Sequence, residues 1–132
     1  MSNKSKGSNA ERELVSLFTE NSWRAVRVAG SGVNDESPCD VIVGKLGKKG
    51  CTIEAKSSRS NYIYIKKSQI EDFILFSSTI GLKPVIAVRF TYEGWLFLDP
   101  EQLEDSGKNF VIYRNKVKSI AKKFSQFFEE LS

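Results

Sequence analysis

The chain has 132 residues, 20 Lys and Arg against 16 Asp and Glu, and not one histidine. That length suits a single domain with its own core, and a formal charge of +4 favours an anionic partner only weakly. The missing imidazole excludes Ser-His-Asp and Cys-His catalysis and histidine-ligated zinc, leaving chemistry to carboxylates, lysine, hydroxyls and a hard, oxygen-loving cation.

Residues 1–7 read as a short flexible basic arm and residues 8–132 as one domain, without an internal repeat or low-complexity tract. Ser8-Asn9-Ala10-Glu11 has the form of a capping box opening a helix over about 8–21, with Leu14, Val15 and Phe18 as its apolar stripe. A cap accounts for Glu11 without any function. At about 100° per residue, however, Glu11 falls in the middle of that stripe, which makes it a candidate ligand as well. Residues 23–28 read as a strand, 29–38 as a long polar loop, 40–43 as a strand, 44–50 as a Gly- and Lys-rich turn, and 51–57 as a third strand. Together these three strands predict an antiparallel meander.

Residues 62–65 form a short alternating run. Ser68-Gln69-Ile70-Glu71 resembles a second capping box, for a helix over 69–80 that ends at Gly81 with Pro84 beyond. Phe73, Phe76 and Ile80 lie on adjacent turns, while Ile70 and Ile74 cover another side. A helix apolar over so much of its circumference is buried on two sides, either within the core or between the core and a second subunit. Residues 85–90 and 95–98 predict a hairpin turned at Tyr92-Glu93-Gly94, and 109–113 another strand. Val117, Ile120, Ala121, Phe124, Phe128 and Leu131 predict one amphipathic C-terminal helix. The order is that of a mixed α/β protein built around one sheet. Cys39 and Cys51 are too few for a secreted disulfide scaffold and read as reduced and partly buried. With no signal-like or membrane-spanning segment, the expected compartment is the cytoplasm.

The chemistry concentrates in Pro38-Cys39-Asp40-Val41-Ile42-Val43 and Thr52-Ile53-Glu54-Ala55-Lys56. Alternation along a strand puts Glu54 and Lys56 on one face and Cys51, Ile53 and Ala55 on the other. Two carboxylates beside an amine suit metal-dependent phosphodiester cleavage: the acids hold a divalent cation, and the lysine orients or deprotonates the attacking water. The spacing is loose and recurs by chance. Its context is more telling, because charges in apolar strands are costly unless paired or metal-bound. Same-face neighbours lie about 7 Å apart at the backbone, which favours a shared ligand over a direct Glu54–Lys56 bond.

Residues 7–18, Gly-Ser-Asn-Ala-Glu-Arg-Glu-Leu-Val-Ser-Leu-Phe, together with Ala-Val-Arg-Val-Ala-Gly-Ser at 25–31, Asp40 and Glu54-Ala55-Lys56, resemble archaeal Holliday-junction resolvases. Pro-Val-Ile-Ala-Val-Arg-Phe at 84–90 and Gly-Trp-Leu-Phe at 94–97 extend the likeness, which covers about residues 7–98. The chain departs from the pattern at Cys39, which separates Pro38 from Asp40 after a long loop. The resemblance implies a restriction-endonuclease-like fold, a single domain with a mixed central sheet flanked by helices. It implies a homodimer that cuts opposing strands of four-way junction DNA, leaving 5′-phosphate and 3′-hydroxyl ends, with Mg²⁺ (Mn²⁺ as a substitute) and no small-molecule cofactor. It makes Glu11, Asp40 and Glu54, with the Ala55 carbonyl, the metal ligands and Lys56 the catalytic lysine. Ser31 would sit on a mobile loop near the scissile phosphate. Arg12 and Arg27 would face the DNA backbone, and Phe73, Phe76 and Ile80 would form the dimer face. The setting would be the nucleoid. Two alternatives stay open: another nicking, repair or restriction-type nuclease on the same core, and a non-catalytic junction-binding architectural protein.

Overall fold

An 18-residue helix, α1 (Asn3–Glu20), opens the computed structural model, which describes residues 3–28 and 37–131, with side chains from residue 9 onward. The helix runs through Ser8 instead of starting there. Gly7 costs only about 1 kcal/mol inside a helix, too little to stop one that is anchored further along. The expected box therefore does not form, and Glu11 is not a cap. Leu14 and Phe18, both fully buried, anchor the helix on the sheet.

After α1 come β1 (Arg24–Arg27), β2 (Val41–Gly44) and β3 (Cys51–Ser58), paired antiparallel as the meander predicts. Gly50 is required where β2 turns into β3, because a Cβ there would stand 2.8 Å from the Val43 carbonyl oxygen. This close turn sets the register Val41↔Ile53, on which the position of Asp40 depends. The chain then leaves the sheet through β4 (Tyr62–Lys66) and α2 (Lys67–Thr79), and returns as β5 (Lys83–Phe90) parallel to β3. A parallel return needs such a crossover. Neither Ser68 nor Glu71 caps α2, which begins one residue before Ser68 behind an uncapped Lys66. The helix ends at Gly81, whose φ of +76° suits glycine, with the Ile80 amide donating to the Phe76 carbonyl.

β6 (Leu96–Leu98) pairs with β5, and a single helical turn at Pro100–Gln102 precedes β7 (Glu104–Asp105) and β8 (Asn109–Tyr113). The architecture has two sheets where one was expected: a six-stranded mixed sheet, β1-β2-β3-β5-β6 closed by a short edge strand β9 (Lys122–Lys123), and a small antiparallel one, β4-β8-β7. The predicted C-terminal helix is also divided, into α3 (Arg114–Ile120), β9 (Lys122–Lys123) and α4 (Phe124–Leu131). The reason lies in its apolar stripe, whose halves serve different cores. Val117 joins Ile63, Ile65, Ile70, Phe73, Ile86 and Val88 on one side of the main sheet. Phe127 joins Leu14, Phe18, Trp23, Ile53 and Phe97 on the other, stacking on Phe97 at 4.5 Å. The chain passes from one side to the other at the sheet edge, as β9. Each such buried side chain contributes roughly 1.5–3 kcal/mol by leaving water.

Helices therefore cover both faces of a mixed sheet in one domain, which is the restriction-endonuclease-like arrangement. Among the described residues no helix is long and apolar enough to cross a membrane.

Candidate active site

The alternation of β3 divides its side chains as expected. Cys51 and Ile53 enter the α1-side core with Ala55 against it, while Glu54 and Lys56 face α2. On that second face α2 is pinned at two points. The buried Thr52 and Ser77 hydroxyls hydrogen-bond near its C-terminal end, and Gln69 Nε2 donates to Glu54 Oε2 at 3.0 Å near its start. Glu54, 2 % exposed, is thus held by a helix that arrives from elsewhere in the chain.

Asp40 stands at the start of β2 with its backbone locked on both sides. The Val28 amide donates to its carbonyl, and its own amide donates to the Ile53 carbonyl, each at 2.9 Å. Two residues on, β3 has lost its β2 partner, and the Asp40 carboxylate takes over by accepting the Ala55 N–H at 2.8 Å. The Ala55 carbonyl, by the same two-residue period, points toward this edge.

The Lys56 ammonium lies 3.4 Å from Glu54 Oε2. Glu54 and Lys56 therefore meet directly, contrary to the expectation from their backbone spacing, because the two long side chains close the gap that their backbones leave. Burial is the main force pushing the Glu54 carboxyl up, to about 8; the neighbouring Asp40 charge adds to it and Lys56 opposes it. Glu11 is also raised, first by burial and then by Asp40, against the pull of Arg27 and Lys56. The three acids therefore share one electrostatic neighbourhood. Glu11 is set a little apart, its Oε1 taking the Arg27 Nε–H at 3.1 Å.

Among the described residues, no three acidic or thiol side chains converge on one point as a ready-made cage. What is present is a carboxylate pair, Asp40 and Glu54, with a backbone carbonyl beside it and the Glu54 carboxyl held above its ordinary range by burial first and the Asp40 charge second. An all-oxygen donor set of that kind, with water completing the shell, fits a hard divalent cation. Asp40, Glu54 and Lys56 share one cavity of about 600 Å³. A larger, mainly apolar cavity of about 750 Å³ between α1, the β5–β6 turn and α4 shares no lining residue with it.

A sequence model of archaeal Holliday junction resolvases (Hjc) matches residues 2–131. The chain belongs to this family. It is 40 % identical over 117 residues to the crossover junction endodeoxyribonuclease Hjc of Methanocaldococcus jannaschii, covering 88 % of this chain and 81 % of that one. It is 32 % identical over 130 residues to Hjc of Archaeoglobus fulgidus, covering 96 % and 95 %. The crystal structure of Archaeoglobus fulgidus Hjc, described as a Holliday junction resolvase, superposes with a TM-score of 0.80 at 25 % identity, over 92 % of this chain and 94 % of that one.

In this Hjc-family chain the other expected site residues have different fates. Arg12 is exposed on α1. Arg27 engages Glu11 rather than standing clear of the acids. Ser31 lies outside the described residues. Phe73 is corrected as a dimer residue, because it is 1 % exposed and belongs to the core beneath α2. Phe76 is half-buried against that core, and Ile80 is 45 % exposed with Leu75 at 67 %. Cys39 and Cys51 are free and buried, and burial pushes their thiols up to about 12 and about 11.

Sequence reasoning missed that Tyr64, Lys66, Gln69 and Asp72 line the cavity together with the acids. The alternation Tyr62-Ile63-Tyr64-Ile65-Lys66 marks an outward face of two tyrosines and a lysine, but nothing local says that this face turns toward Asp40 and Glu54.

Proposed function

We propose that this chain is a structure-selective DNA endonuclease that resolves four-way junctions by metal-dependent phosphodiester hydrolysis, acting as a homodimer. One observation carries the reading: Asp40, Glu54 and Lys56, drawn from two strands, open into a single cavity. Membership of the resolvase family supports the choice of substrate.

Asp40, Glu54 and the Ala55 carbonyl would hold a divalent cation, Mg²⁺ or in its place Mn²⁺. When bound, it supplies Lewis-acid stabilisation of charge at phosphorus and acidifies its water. The side chains do the rest. Gln69 and Lys56 fix the Glu54 carboxylate from two directions, so its oxygens do not have to search for their position. Lys56, one-third exposed, reaches the cavity and orients the attacking water or takes its proton. Glu11, steadied by Arg27, adds negative charge at the edge of the group. Arg12, Arg27 and Ser31 contact the DNA backbone around the scissile phosphate, positioning it without reading sequence. The apolar outer side of α2, with Leu75, Phe76 and Ile80, joins two copies so that two sites face opposing strands. The setting is the archaeal nucleoid, in the cytoplasm.

Denaturing gels comparing a four-way junction, a fork and a linear duplex, with and without Mg²⁺, test this reading. Cleavage of the junction alone, in paired nicks and only with the metal, is the expected result. Equal cutting of all three substrates would point instead to another nuclease activity on the same core, and binding without scission to an architectural role.

A further inference from the structure

Where the parallel strands β3 and β5 end side by side, two turns are held to each other and present side chains that the fold does not use. The first, residues 59–61, follows β3; the second, residues 91–95, joins β5 to β6. The Thr91 amide and hydroxyl both donate to the Ser58 carbonyl, at 3.1 and 3.2 Å. Arg114 braces both turns. Its backbone amide donates to the Asn61 carbonyl at 2.8 Å, and its guanidinium to the Thr91 carbonyl at 2.7 Å and to Glu93 Oε2 at 3.1 Å. On these turns stand Arg59, exposed, and Tyr92, fully exposed. Among the described residues neither side chain has a hydrogen-bond or ion-pair partner. Tyr92 also holds its φ at +68°, a left-handed conformation uncommon outside glycine. A bulky ring kept in that conformation and left in water contributes nothing to packing, and strain of this kind concentrates at binding sites.

Arg59 and Tyr92 line one cavity of about 290 Å³ together with Ser57 and Ser58. It adjoins the cleavage cavity along the chain: Lys56 lines that one, and Ser57, the next residue, lines this one. The two acids of its wall are already neutralised, Glu13 by Arg89 and Glu93 by Arg114 and Lys118, so the Arg59 charge is uncompensated. From this we infer that Arg59 and Tyr92 form a backbone grip for the DNA arm that carries the scissile phosphate. The inference rests on the nuclease reading above. Arg59 lies at most about 10 Å along the chain from Lys56, so a strand with one phosphate at Lys56 brings another within reach of the guanidinium. Arg59 pairs with that phosphate, and Tyr92 lays its ring against an adjoining sugar and donates its hydroxyl to a phosphate oxygen. Because the two turns are braced beforehand, little ordering is needed when DNA arrives. The grip reads no sequence. It keeps the arm in register over the carboxylates, and so acts on binding and not on the chemical step.

The test measures binding of a four-way junction in EDTA, across a range of salt, for the parent, Arg59→Ala, Arg59→Lys and Tyr92→Gly. Arg59→Ala should raise the junction Kd roughly tenfold, the worth of one charge-assisted hydrogen bond, and make the slope of log K against log salt shallower by about 1. Arg59→Lys keeps the charge and should keep the parent's slope. Tyr92→Gly should weaken binding about threefold with the slope unchanged. Its Tm should hold or rise, because glycine is at ease at that φ, which separates lost contact from lost structure. With Mg²⁺ present, KM should rise in Arg59→Ala and Tyr92→Gly while kcat stays at the parent's value. Parent-like affinity and salt slope in Arg59→Ala, parent-like affinity in Tyr92→Gly, or a loss confined to kcat would each overturn the grip. A parent that binds the junction but cuts no substrate overturns the proposed activity instead, so the two failures are distinguishable.

Discussion

The Asp40 carboxylate accepts the Ala55 N–H at 2.8 Å, and through that bond the end of β2 is tied to the stretch of β3 that carries Glu54 and Lys56. One side chain thus completes the backbone hydrogen bonding of a strand edge and, in the proposed mechanism, would also offer an oxygen to the cation. Asparagine at this position keeps an oxygen for the Ala55 amide but loses the negative charge. Asp40→Asn should therefore fold, bind junction DNA and lose cleavage by at least about 100-fold, since even the outer partners of metal ligands cost 10–100-fold. Single-turnover cleavage on gels, beside a mobility-shift titration, separates the two effects; retained strand scission would remove Asp40 from the mechanism.

Glu54 makes the metal-free protein sensitive to pH. Its carboxyl rises from 4.5 to about 8 on folding, mainly through burial and secondly through Asp40. Between those two values the folded state holds a proton that the unfolded chain has released, so stability falls as pH rises through that window. Glu11, raised in the same direction, adds to the trend. Glu54→Gln abolishes the larger part of it. In EDTA, this variant should melt higher than the parent near neutral pH, by about 1–3 kcal/mol of unfolding free energy, and show a flatter Tm profile between about pH 5 and pH 8. Melting curves across that range would reveal it. A steeper profile in Glu54→Gln than in the parent would contradict the origin assigned to the shift.

Much of this site could be read in the chain beforehand, because its logic is local. The two-residue period of β3 sends Ile53 and Ala55 one way and Glu54 and Lys56 the other, whatever surrounds them. The strand Asn109–Tyr113 was legible from its own short aromatic and β-branched run. What could not be read depends on contacts between distant segments. Glu11 looks like half of a capping box because a carboxylate three residues after a serine usually is one; only Arg27, on another element, shows where it goes. The stripe from Val117 to Leu131 reads as one helix because periodicity does not record that its two ends face different cores. Tyr64 joins the cavity through the crossover of β4 and α2, which no spacing within 62–66 announces.

Residues on α2 should separate assembly from stability. Leu75, 67 % exposed, and Ile80, 45 % exposed, can become glutamate without emptying the core, whereas Phe73 cannot be truncated without leaving a cavity. Leu75→Glu with Ile80→Glu is expected to halve the mass seen by light scattering and leave Tm nearly unaltered at matched dilution. Phe73→Ala should cost about 3–5 kcal/mol of stability. An unaltered mass in the double glutamate variant would remove this face of α2 from the proposed dimer. Phe76→Glu tests the same face less cleanly, because Phe76 also packs against the core.

The C-terminal helix α4 is only 8 residues long, too short to be helical by propensity alone, so its stability must come from what it covers. Phe127 lies parallel to Phe97 at 4.5 Å, and Phe18 meets Phe97, Phe124 and Phe127 edge-on. Removing the Phe127 ring takes away its buried area, the Phe97 stack and the packing of α4, a loss of about 3–5 kcal/mol. The cluster belongs to the α1 side of the sheet, opposite the face that carries Glu54 and Lys56. Phe127→Ala should therefore lower the urea midpoint sharply while junction cleavage per folded molecule, measured well below that midpoint, stays at the parent's rate. A loss of cleavage in protein shown to be folded would mean that the two faces of the sheet are mechanically linked, and that α4 helps to position the carboxylates.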